Sequence, residues 1–133
     1  MKREMKEHYS FQELREIVAE LRSPEGCPWD REQTYESLKK TLRDETQEVL
    51  DAVDNKDMEN LKEELGDLLL QVVFYAQIAS EDGFFTLDDV ISGLARKMVR
   101  RHPHVFGDEK AETSEEALEL WYRIKAMEKK GYR

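Results

Sequence analysis

Apolar residues recur along most of the chain at spacings of three and four, and nowhere do they alternate with polar ones between turn signals as a half-buried strand requires. This periodicity predicts an all-α protein of five helices. Ser10-Phe11-Gln12-Glu13 has the form of a capping box, so a first helix begins at Ser10 and runs to about Arg22. Pro24, Gly26 and Pro28 interrupt it, leaving a loop that carries Trp29 and Asp30. Thr34 is the expected N-cap of a second helix reaching about Asn55, and Asp57 caps a third that extends to Asp82 ahead of Gly83. So short a connection makes the pair an antiparallel hairpin. Thr86 opens a fourth helix ending near Arg101 before His102-Pro103, and Thr113-Ser114-Glu115-Glu116 opens a fifth that runs to Lys130. Packed on one core, these give a four- to five-helix bundle and a single domain over 1–133.

Two of the apolar stripes are interrupted by acids. At ~100° per residue, Leu38, Leu42, Val49 and Val53 fall within a stripe roughly 60° wide, and Glu45 lies at its border, about 20° from Leu38. A carboxylate there costs several kcal/mol unless it is paired or binds a metal. Glu48 sits three residues on, to one side. In the third helix, Leu61, Leu65, Leu68, Leu69, Val72, Val73 and Ala76 form a broad apolar face, flanked along one edge by Glu64 and Asp67. An antiparallel hairpin lets the two pairs meet, and four converging carboxylates are tolerable only around a cation. The alternative is a solvated acidic face, which the matched spacing on successive helices disfavours. A donor set of carboxylates, with no histidine three residues beyond any of them, selects a hard ion: Mg²⁺, with Mn²⁺ as a substitute. Gly66, at a costly helix-interior position, suggests close approach of another backbone or a ligand.

Charge adds a second feature. With 21 Lys and Arg against 30 Asp and Glu, the net charge of -9 excludes a duplex nucleic-acid binder. Against that background Arg96, Lys97, Arg100 and Arg101 concentrate positive charge at the end of the fourth helix. They either complement the helix dipole or, beside a metal site, clamp a triphosphate. Trp121 and Lys125 share one face of the last helix; the indole is either core or a stacking surface for a base or ribose. The single cysteine, Cys27, excludes a disulfide framework, and no apolar run approaches the ~20 residues of a membrane span. The expectation is a soluble, cytoplasmic protein.

Several segments in order then resemble MazG-type nucleoside triphosphate pyrophosphohydrolases, of the all-α NTP pyrophosphohydrolase superfamily. They are GCPWDREQT from Gly26, DETQE from Asp44, EELGDLLLQVVF from Glu63, KMVRRHPHVFGD from Lys97, and Trp121 with Lys125. The resemblance covers about Leu14 to Lys129. It implies Mg²⁺ ligands at Glu45, Glu48, Glu64 and Asp67, with Glu45 or Glu48 also available as the base. It implies nucleotide contacts at Lys97, Arg101, Trp121 and Lys125, extended here to Arg100 and to Trp29 of the GCPWD segment. The implied reaction releases pyrophosphate from a nucleoside triphosphate, as a house-cleaning activity, by a homodimer or higher homo-oligomer. Narrower relatives that act on dCTP, dUTP or phosphoribosyl-ATP share the metal motif, and a non-catalytic helical binding module remains the alternative from another class. Asp44 departs from the family's Glu at that position.

Overall fold

The computed structural model describes residues 2–131, and every regular element among them is a helix. These are α1 (Phe11–Leu21), α2 (Pro28–Glu32), α3 (Leu38–Asp54), α4 (Met58–Glu81), α5 (Leu87–Arg101), α6 (Pro103–Phe106) and α7 (Ser114–Lys129). The five expected helices are present as α1, α3, α4, α5 and α7. The Ser10 capping box forms as its residue types require: Ser10 Oγ accepts from the Glu13 N–H at 3.1 Å, and Glu13 Oε1 accepts from the Ser10 N–H at 3.0 Å. Asp57 and Thr113 cap α4 and α7 in the same manner, accepting from Asn60 and Glu116.

Two local expectations need correction. The segment around Trp29 is not a plain loop, because Pro28 occupies the first position of a one-turn helix, where a missing N–H costs nothing. Nor does Thr34 cap α3. Thr34 and Ser37 each donate a backbone N–H to the other's hydroxyl, at 2.8 and 3.1 Å, which closes a turn and delays the helix to Leu38. α6 is a further one-turn helix led by Pro103, after the break expected at His102.

By proximity of the backbone the chain divides into two compact units, Met1–Leu87 and Asp88–Arg133. In the first, α4 is the spine, packing on α3 and on α1. Val18, Leu38, Val73, Phe74, Ala76, Ile78 and Leu87 form its core, with Leu14, Tyr35, Leu70 and Tyr75 against it. Each large side chain so buried contributes about 1.5–3 kcal/mol. The inward face of α3 follows the expected stripe from Leu38 to Val49 and departs from it only at the end, where Ala52 is fully buried and Val53 is 52% exposed. On α4 the expected apolar face is also only partly used, since Leu65, Leu69 and Val72 are 49%, 37% and 43% exposed. Arg22 ties the parts of this unit together. Its guanidinium donates to the carbonyls of Asp30 and Gln33 at 2.6 and 3.1 Å, pairs with Glu81 through two bonds of 2.9 Å, and lies over the Phe74 ring.

Candidate functional site

The α3–α4 hairpin brings together the four acids expected from the sequence. Glu45 and Glu48 on α3, and Glu64 and Asp67 on α4, each offer an oxygen such that all four lie within 4.8 Å of one another. Helical spacing of three residues puts each pair on one face, and antiparallel packing opposes the faces. Two of these oxygens, Glu45 Oε2 and Glu64 Oε2, are buried without a hydrogen-bond partner among the described residues. Such orphaned acceptors are costly unless a cation or donor takes them up.

Protonation responds to the crowding. A shared hydrogen bond with Glu48, then burial, then the charges of Glu48, Asp67 and Glu45 raise the Glu64 carboxyl to about 7. Burial first, and then Glu48 and Asp67, push Glu45 upward as well. A divalent ion bound here would compete with protons for the Glu45 and Glu64 carboxylates. Hard carboxylate oxygens, orphaned lone pairs and excess negative charge all fit a divalent cation. Asp44 points elsewhere, exposed and paired with Lys40 at 2.8 Å.

Gln71 was not anticipated. It is 4% exposed, its Oε1 has no partner among the described residues, and it continues the face of Glu64 and Asp67 at spacings of seven and four. The signal available in the sequence was that periodicity, which puts Gln71 on the same edge of the helix as the two acids. Gly66, by contrast, has nothing among the described residues within 4 Å of where a Cβ would stand, so none of them explains it.

In the second unit, the end of α5 meets α7 through charge. Arg100 Nε donates to Glu128 Oε2 at 2.6 Å, and Arg101 donates to both Glu128 oxygens, at 2.7 and 3.3 Å. Both guanidiniums hold Glu128 down to about 2, Arg101 contributing most. The Arg101 guanidinium stacks 4.7 Å from the centroid of Trp121, and His102 meets the same indole edge-on at 5.5 Å. Arg100, Arg101 and Trp121 are therefore brought together. Lys97 is half-buried one turn before Arg101, Lys125 is exposed one turn after Trp121, and Trp29 is 60% exposed on α2 in the first unit. A cavity of about 350 Å³ beside Trp121 is lined by His102, His104, Ser114, Ala117 and Leu118.

Comparison with known proteins gives a consistent result. Residues 33–106 match the family model described as the MazG nucleotide pyrophosphohydrolase domain. A Thermotoga maritima protein named nucleoside triphosphate pyrophosphohydrolase/pyrophosphatase MazG is 56% identical over 90% of this chain and 45% of its own length. An Escherichia coli (strain K12) nucleoside triphosphate pyrophosphohydrolase is 51% identical over 85% of this chain and 43% of its own. The chain thus spans less than half the length of these curated relatives. The crystal structure of a mazG-related protein from Thermotoga maritima superposes with a TM-score of 0.72 at 35% identity, covering 86% of this chain and 98% of that one.

Proposed function

The chain belongs to the MazG nucleotide pyrophosphohydrolase domain family, and from that premise we propose that it hydrolyses nucleoside triphosphates to the monophosphate and pyrophosphate with Mg²⁺. Mn²⁺ would serve as a substitute. The observation that carries this reading is the convergence of Glu45, Glu48, Glu64 and Asp67 with two orphaned carboxylate oxygens. These four residues would hold the metal. When bound, the ion supplies charge neutralisation for phosphate oxygens and lowers the pKa of water.

The remaining roles belong to side chains. Glu45 or Glu48 takes the proton of the attacking water; burial and the neighbouring acids raise the Glu45 carboxyl, which favours proton acceptance there. Lys97, Arg100, Arg101 and Lys125 balance the charge of the triphosphate, and Trp121 offers an indole for the base or ribose, with Trp29 as a further contact. Residues 1–133 act in this reading as one functional domain in the cytoplasm, clearing unwanted nucleotides from the pool. No helix among the described residues is long and apolar enough to cross a membrane. Self-association into a homodimer or higher homo-oligomer is supported by the apolar row of Met58, Leu65, Leu69 and Val72, exposed at helical spacing on α4.

The test is to incubate the protein with each common NTP and dNTP and with phosphoribosyl-ATP, with Mg²⁺ or EDTA, and to separate the products. Pyrophosphate released only with Mg²⁺ is expected. Turnover confined to dCTP, dUTP or phosphoribosyl-ATP would assign the narrower activity, orthophosphate release a different hydrolase, and no metal-dependent turnover a binding module.

A further inference from the structure

We infer that Glu128 is a positioning residue: it holds the Arg101 guanidinium over the Trp121 indole, so that the arginine meets the substrate in one fixed position. The inference rests on the proposed reading, in which Arg101 and Trp121 contact the nucleotide.

Trp121, Lys125 and Glu128 succeed one another at spacings of four and three, so they share one face of α7. Glu128 and Arg101 are each only 11% exposed at the side chain. Burial to that degree costs each charge its hydration, which two hydrogen bonds of 2.7 and 3.3 Å offset. A bidentate carboxylate also removes rotational freedom. It engages Nε and one Nη of the guanidinium, whose Cζ lies over the indole at 4.7 Å from its centroid. Two of Arg101's five N–H donors are used in this way, and the other three have no hydrogen-bond partner among the described residues.

Charge separates positioning from competition. Glu128 carries one negative charge and faces two guanidiniums, Arg100 and Arg101. One positive charge is left over, and Lys97 and Lys125 add to it from the same helices. A phosphate is therefore still attracted to this face with Glu128 in place. Were Glu128 merely a stand-in for phosphate, its removal would free the arginines and tighten binding. As a positioning residue, its removal leaves a flexible side chain that must be ordered at binding, and affinity falls.

The experiment is a double-mutant cycle on the full chain, with Glu128→Gln, Arg101→Ala and the pair. The probes are the α,β-methylene analogues of ATP, dCTP and dUTP with Mg²⁺, taking whichever binds wild type most tightly, and Kd is read by calorimetry so that no turnover is needed. Glu128→Gln is expected to raise Kd about tenfold, within the range of coupled contacts, and to have no further effect once Arg101 is alanine. Unchanged or tighter binding, or an effect that persists undiminished in the Arg101→Ala background, would overturn the inference. Glu128→Asp, which keeps the charge on a shorter stem, is read in the same cycle if the glutamine variant does not fold. An analogue that binds while the natural triphosphate is not cleaved would defeat the proposed reaction and leave the role of Glu128 to be decided by the cycle.

Discussion

Glu45 stands where an ordinary helix would carry Leu or Val, between Leu42 and Val49 on the inward side of α3. Replacing it with Gln removes the charge of a half-buried carboxylate with an orphaned oxygen while keeping its shape. Glu45→Gln should therefore abolish Mg²⁺-dependent turnover and, in EDTA, leave the melting temperature unchanged or raise it by roughly 4 °C, equivalent to about 1 kcal/mol. A metal-free melt and an activity assay on the same preparation check both halves. Glu64 makes a pH signature. Its folded carboxyl titrates at about 7, against 4.5 as the unperturbed value. Between those limits the folded state binds a proton that the unfolded state has lost, so the Glu64 contribution to stability falls as pH rises through the window. Melts in EDTA from pH 5 to 8 should show that fall in wild type and a shallower one in Glu64→Gln. Saturating Mg²⁺ should reverse the trend, because the ion binds the deprotonated carboxylates.

The turn between α3 and α4 contains a local conflict. Lys56, immediately after the Asn55 C-cap, has φ of 54°, a left-handed conformation that costs a side chain about 1–2 kcal/mol and glycine almost nothing. Lys56→Gly should accordingly stabilise the hairpin by up to about 1 kcal/mol in denaturant titration, with activity intact. The α2 turn depends on a more distant residue. Arg22 reaches from the end of α1 to the carbonyls of Asp30 and Gln33 and to Glu81 on α4. Arg22→Met keeps much of the packing on Phe74 but leaves those acceptors unmatched. The expected result is faster amide exchange across residues 28–33, while α3 keeps its protection.

Each unit carries apolar side chains that are exposed among the described residues. Leu65, Leu69 and Val72 lie along α4, and Val90, Ile91 and Leu94 are 37%, 44% and 54% exposed on α5. If a second copy covers the α4 row, Leu69→Glu with Val72→Glu should lower the mass seen by light scattering from that of the oligomer to that of a monomer. Metal binding should act on the same global equilibrium. At 100 times Kd, Mg²⁺ is expected to add about 2.7 kcal/mol to wild type and nothing comparable to Glu45→Gln.

Much of this was legible in the residues before any coordinates. Helix type and order follow from three-and-four periodicity and from caps at Ser10, Asp57 and Thr113, because those signals act within one or two turns. The four carboxylates were legible for the same reason: a short connection and matched spacing leave few ways to pair α3 with α4. Long-range geometry was not. Whether Leu65 or Val73 is buried depends on which sides of α4 have neighbours, and the wheel treats both as apolar. Likewise Glu128, 27 residues from Arg101, carries no local mark of its partner. Only the packing of α7 against the end of α5 joined them, since an ion pair between helices is set by tertiary approach and not by sequence spacing.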